Sequence, residues 1–96
     1  MSPFNKKRLN KLRLKLDKLD DELLKLIKKR SNLVNDVLKV KVHKKDIIDQ
    51  KRISVILKKI KNKSLQLKID PKITNRIWKN MIWSFIDYEK RNFKKK

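Results

Sequence analysis

Of the 30 basic side chains in the sequence, only Arg8, Arg13, Arg30, Arg52, Arg76 and Arg91 are arginine. Lysine is the default way of being positive here, so each arginine carries information. A guanidinium grips a carboxylate or phosphate through a rigid fork of donors, whereas an ammonium acts as a hydrated point charge. Arg30, in the stretch LIKKRSNLVNDVLKVK, therefore stands out as an anion holder. It lies eleven positions before Lys41, and at about 100° per residue that separation returns to nearly the same side of a helix, so the two cations share a face. Arg13 lies seventeen positions before Arg30, about a quarter turn away by the same rotation. It cannot join Arg30 within its own chain, but an antiparallel copy could supply it.

Further along, Asp49 and Arg52 are three positions apart, a spacing that serves either a local ion pair or a shared pocket. Trp78, Ile82, Phe85 and Glu89 follow i, i+4, i+7 and i+11, which ends an apolar stripe in a carboxyl group. From the residues alone, that carboxyl either frays into water near the chain end or is partly buried. Trp78, Met81, Ile82 and Phe85 read most simply as core. His43 has no partner histidine or cysteine and reads as solvated, and Ser31, Ser54, Ser64 and Ser84 lack a base that would make a nucleophile. With no glycine loop for phosphate and few acid/base pairs, any reaction here should depend on placed charge more than on proton transfer.

The elements that must position these groups are helices. The sequence has no glycine and only two prolines, Pro3 and Pro71, which leaves a long interior without its usual breakers. Ser2 before Pro3 and Asp70 before Pro71 both have the form of an N-cap followed by proline at the first helical position. Apolar residues at Leu9, Leu12, Leu16, Leu19, Leu23, Ile27, Val34, Val37 and Leu38 predict one long helix over about 5–41. The charged segment VHKKDIID interrupts it. Ile53, Ile56, Leu57 and Ile60 predict a short second helix over about 47–63, and a medium third runs over about 71–92. The fold class is thus all-α, a single helical domain over 1–96. A first helix roughly 55 Å long cannot be covered by two shorter ones, so a second copy should supply the missing surface. The expectation is an intertwined helical homodimer with no stable folded monomer.

Composition sets the remaining bounds. With no cysteine and one histidine, neither a disulfide nor a usual zinc site can be built, and no metal or cofactor is expected. No apolar run approaches a membrane span and no secretory signal opens the chain, which predicts a cytoplasmic protein without membrane contact. The net charge of +20 fits a polyanion partner. Yet the cations are spread along the chain and aromatic residues make up only 6%, which leaves few platforms for bases, so nucleic acid is not the expected partner.

The ordered residues resemble a known family, the all-helical chorismate mutases of the AroQ class. The family pattern has Leu-Arg early in helix 1, an Asp before a Leu-Leu pair, a central Arg, Lys-x-Lys near the end, and Asp-x-x-Arg-Glu opening helix 2. Here these are Leu12 and Arg13, Asp20 with Leu23 and Leu24, Arg30, Lys39 and Lys41, then Asp49 and Arg52. The resemblance implies a cofactor-free isomerase of aromatic amino-acid biosynthesis, a dimer with two pockets that rearranges the dicarboxylate chorismate to prephenate by a pericyclic shift. It implies that Arg13 of the partner, Arg30 and Arg52 hold carboxylates, that Lys41 donates to the ether oxygen, and that Asp49 lies near the ring hydroxyl.

Three positions depart from that pattern. The usual Glu after the helix 2 arginine is Ile53, the usual helix 3 serine is Phe85, and the usual glutamine beside the ether oxygen is Glu89. A carboxylate would repel the developing oxyanion while a protonated carboxyl can donate to it, so Glu89 is expected to work in the neutral form. Ile53 and Phe85 also resemble the isochorismate pyruvate lyases, relatives on the same fold, whereas Asp49 favours the mutase. A basic nucleic-acid-binding helical protein is the reading from a different class. It predicts steep salt dependence, whereas the enzyme predicts damage from the charge-preserving Arg30→Lys.

Overall fold

The computed structural model describes residues 2–95, and the described residues form an all-α protein with three helices. Helix α1 spans Pro3–Val40, α2 spans Gln50–Gln66 and α3 spans Pro71–Asn92, with a short 3-10 turn at Lys44–Ile47 between α1 and α2. The chain divides into two units, one ending at Leu33 and the other beginning at Val34.

The first unit is the greater part of α1. Its start follows local chemistry: the Ser2 hydroxyl accepts the Asn5 N–H at 3.2 Å, and Pro3 fits the first helical position because it has no N–H to lose. Its apolar stripe lies open. Leu12, Leu16, Leu19 and Leu23 are all exposed, Leu19 by 59%, and Leu14, Leu24, Leu26 and Leu33 add to the uncovered surface. An apolar area this large on one helix marks a surface made to be covered.

The second unit holds the core. Leu38 at the end of α1, Ile47 in the 3-10 turn, and Ile82 and Ile86 on α3 are buried together, with Ile48, Ile53, Ile56, Leu57 and Phe93 packed against them. Helix α3 lies along α2 and also meets the 3-10 turn. The turn exists because Ile47 must point inward: it is only 3% exposed, and the tighter winding brings it under α3 within a four-residue segment.

The second helix, expected over 47–63, spans Gln50–Gln66 for two local reasons. The Asp49 carboxylate caps it by accepting the Arg52 N–H at 3.0 Å. At the other end Ile69 N–H donates to Ser64 C=O at 2.8 Å and Lys68 N–H to Leu65 C=O at 3.2 Å, the paired bonds of a Schellman turn. That turn requires a left-handed residue, and Lys68 takes it at φ 58° in a chain without glycine. Asp70 then accepts the Lys72 N–H at 2.9 Å and Pro71 opens α3. A buried hydroxyl pair, Ser64 and Thr74 at 2.7 Å, ties α2 to α3 beside this turn. Ser64 is thus a structural residue whose hydroxyl also donates to Ile60 C=O.

Candidate active site

In the second unit the end of α1 and the last turns of α3 bring together two of the expected residues. Lys41 Nζ lies 3.2 Å from Glu89 Oε2 and 3.4 Å from Oε1, so the ammonium sits astride the carboxylate. Both are withdrawn from water: the side chains are 18% and 6% exposed. Lys41 Nζ also donates to the Ile47 carbonyl at 3.5 Å. The carboxyl that the sequence left between solvent and interior is therefore inside, because the core face of α3 continues through Ile82 and Ile86 to Glu89, and Lys41 supplies the counter-charge.

Local structure explains how Lys41 reaches it. Lys41 follows the last residue of α1, its N–H bonded back to Leu38 C=O at 3.2 Å, where the partial negative charge of the helix end favours a cation. Leu38, one turn earlier, is held in the core, so the chain leaves the helix directly over α3.

Other expected residues of this unit stand as follows. Asp49 spends Oδ1 on capping α2, and among the described residues it makes no ion pair with Arg52; the spacing of three serves the cap, and the Arg52 side chain is exposed. Ile53 is half-buried and packs on the core. Phe85 is half-buried on α3. In the first unit Arg30 is half-buried and Arg13 is exposed on α1. His43, read as solvated, is exposed, and its backbone N–H donates to Asp46 at 3.3 Å across the 3-10 turn.

Two features of the site carry no mark in the sequence. The Ile47 carbonyl is a backbone group, invisible to any reading of side-chain types. The second is a bond from Tyr88 Oη to Asn35 Oδ1 at 2.8 Å, between residues 53 positions apart. Next to this bond lies a cavity of about 380 Å³ lined by Asn35, Leu38, Lys39, Tyr88, Asn92 and Lys94, none of them an expected site residue.

The Lys41 ammonium and the Glu89 carboxyl thus stand together in a half-dry setting, where placed charge acts more strongly than in water. The sequence pattern of the family described as chorismate mutase type II matches residues 12–90, and the chain belongs to that family. No curated protein and no solved structure matches it at a significant level. Among the described residues, no helix is long and apolar enough to cross a membrane.

Proposed function

We propose that the protein is a chorismate mutase that works as an intertwined homodimer, rearranging chorismate to prephenate without a cofactor. The observation that carries this reading is the Lys41–Glu89 pair, which joins two motif positions 48 residues apart in a chain that belongs to the family. The open apolar stripe of α1 supports the dimer, since a second α1 has the same need for cover.

Within that reading, Arg30 and Arg52 of one subunit and Arg13 of the other grip the two carboxylates of chorismate. This holds the flexible substrate in the compact form in which the breaking C–O bond and the forming C–C bond face each other. The electrons move around the ring of reacting atoms without a protein nucleophile, so the protein contributes placement and charge. As the ether bond breaks, negative charge grows on its oxygen, and Lys41 Nζ is the donor that meets it. Glu89 acts beside it as a second donor when it carries a proton. Asp49 meets the ring hydroxyl with Oδ2, because Oδ1 is engaged by the Arg52 N–H. Ile53 and Phe85 form apolar walls. The protein is expected in the cytoplasm.

The half-burial of Ile53 against the core also suits the lyase reading, in which an apolar residue follows the helix 2 arginine. Separate assays with chorismate and isochorismate distinguish the two. The mutase reading expects chorismate to disappear with prephenate formed and no pyruvate; pyruvate released from isochorismate, with chorismate untouched, overturns it.

A further inference from the structure

Helix α3 meets the end of α1 through polar contacts at two successive residues. Glu89 receives Lys41 at 3.2 Å, and its neighbour Tyr88 donates to Asn35 Oδ1 at 2.8 Å. Successive helical residues point about 100° apart, so these contacts leave α3 in different directions and together fix its rotation about its own axis. The other contacts constrain this end of α3 less: Ile82 and Ile86 lie one helical turn apart on one face, and the Ser64–Thr74 bond holds the helix at its first turn, far from Glu89. The two partners on α1 and its exit, Asn35 as acceptor and Lys41 as donor, are six positions apart, about 9 Å along a helix, so the contacts also fix the axial offset of α3.

The geometry points to Asn35 and Tyr88 as a positioning pair, a strut that sets Glu89 where Lys41 can use it; this rests on the mutase reading given above. The Lys41 ammonium donates to Glu89 and to the Ile47 carbonyl, and among the described residues it makes no hydrogen bond to Asn35 or Tyr88. The strut is the shorter and better formed of the two contacts, and the Lys41 distances of 3.2, 3.4 and 3.5 Å are those of a group held loosely among three acceptors. Such a group follows its surroundings. If the Tyr88 hydroxyl is lost, α3 can roll, Glu89 shifts, and Lys41 moves from the ether oxygen it must meet. Carboxylate binding by the arginines is untouched, so the loss should fall on turnover and spare substrate affinity.

Three variants and two readouts test the strut. Tyr88→Phe should lower kcat by about tenfold with KM little changed, since displacements of an ångström or less at a reacting centre cost this much or more. Asn35→Leu should do the same, and the double variant should be no worse than either single one, because both remove one bond. Asn35→Asp keeps an acceptor for the Tyr88 hydroxyl and should retain most of the activity. The second readout is the Lys41 ammonium resonance in NMR. It should be protected from exchange in the parent and in Asn35→Asp, and lost to fast exchange in Tyr88→Phe and Asn35→Leu.

Additive losses, or unchanged kcat with an unchanged Lys41 resonance, overturn the proposal. If Tyr88→Phe does not fold, the contrast between Asn35→Leu and Asn35→Asp decides it alone. If the parent converts no chorismate, the mutase reading falls, and the resonance still decides whether the strut positions Lys41.

Discussion

Replacing Lys41 by methionine should destabilise the protein, and by an amount that depends on what stands at position 89. At 3.2 Å and an effective dielectric near 20, the attraction between ammonium and carboxylate is about 5 kcal/mol. Withdrawing both ions from water offsets most of this, so the pair as a whole contributes little net stability. Removing one partner is different, because the attraction vanishes while Glu89, with its side chain 6% exposed, keeps its desolvation. Lys41→Met alone should therefore cost about 3–5 kcal/mol. In a Glu89→Gln background the residue left behind is a neutral amide, and the same substitution should cost about 1 kcal/mol. The difference, a coupling of about 2–4 kcal/mol, is what the buried pair predicts. Urea denaturation followed by the fluorescence of Trp78 and Trp83 measures it, with all variants at one protomer concentration because the stability of the proposed dimer would depend on it. Equal costs in the two backgrounds, within about 0.5 kcal/mol, would refute the pairing.

Three further outcomes are expected. Arg30→Lys preserves charge but removes the fork, so kcat/KM for chorismate should fall about 30-fold or more, the equivalent of one charged hydrogen bond, and an unchanged value excludes Arg30 from substrate binding. A carboxamide can donate to the ether oxygen where a carboxylate paired with Lys41 cannot, so Glu89→Gln should retain or raise kcat for chorismate, and a lowered kcat removes that assistance from the mechanism. Lys68→Gly relieves a left-handed residue and should raise the free energy of unfolding by about 0.5–1 kcal/mol, measured by the same urea titration, unless the Schellman turn is misassigned.

Helix starts were legible in the sequence because their chemistry is local. Ser2 with Pro3 and Asp70 with Pro71 each contain the acceptor and the ring that begin a helix, within two residues. The start of α2 was harder, since the span expected over about 47–63 takes in Ile47 and Ile48, whereas the demand to bury Ile47 puts it in a 3-10 turn that ends before Asp49 caps the helix. Its end was hidden for a related reason: a Schellman turn usually announces itself by glycine, and here a lysine takes the position. Glu89 shows where pattern reasoning stops. Its place at the end of an apolar stripe was visible, but whether water or protein surrounds it depends on Lys41, which only the folded chain brings near. The family motif ordered these residues along the sequence without giving their distances. Asn35 and Tyr88 belong to no such motif, and their contact follows from how α3 docks on the end of α1.

The claim at the centre of the account is that each pocket takes Arg13 from one chain and Lys41 from the other. Mixing an Arg13→Ala variant with a Lys41→Ala variant, unfolding and refolding them together, tests it. Half of the refolded dimers should be mixed, and each mixed dimer should contain one pocket with both defects and one with none, so activity should return to about a quarter of that of the parent protein. If the mixture stays as inactive as its two components, Arg13 and Lys41 do not meet across two chains, and the account is contradicted.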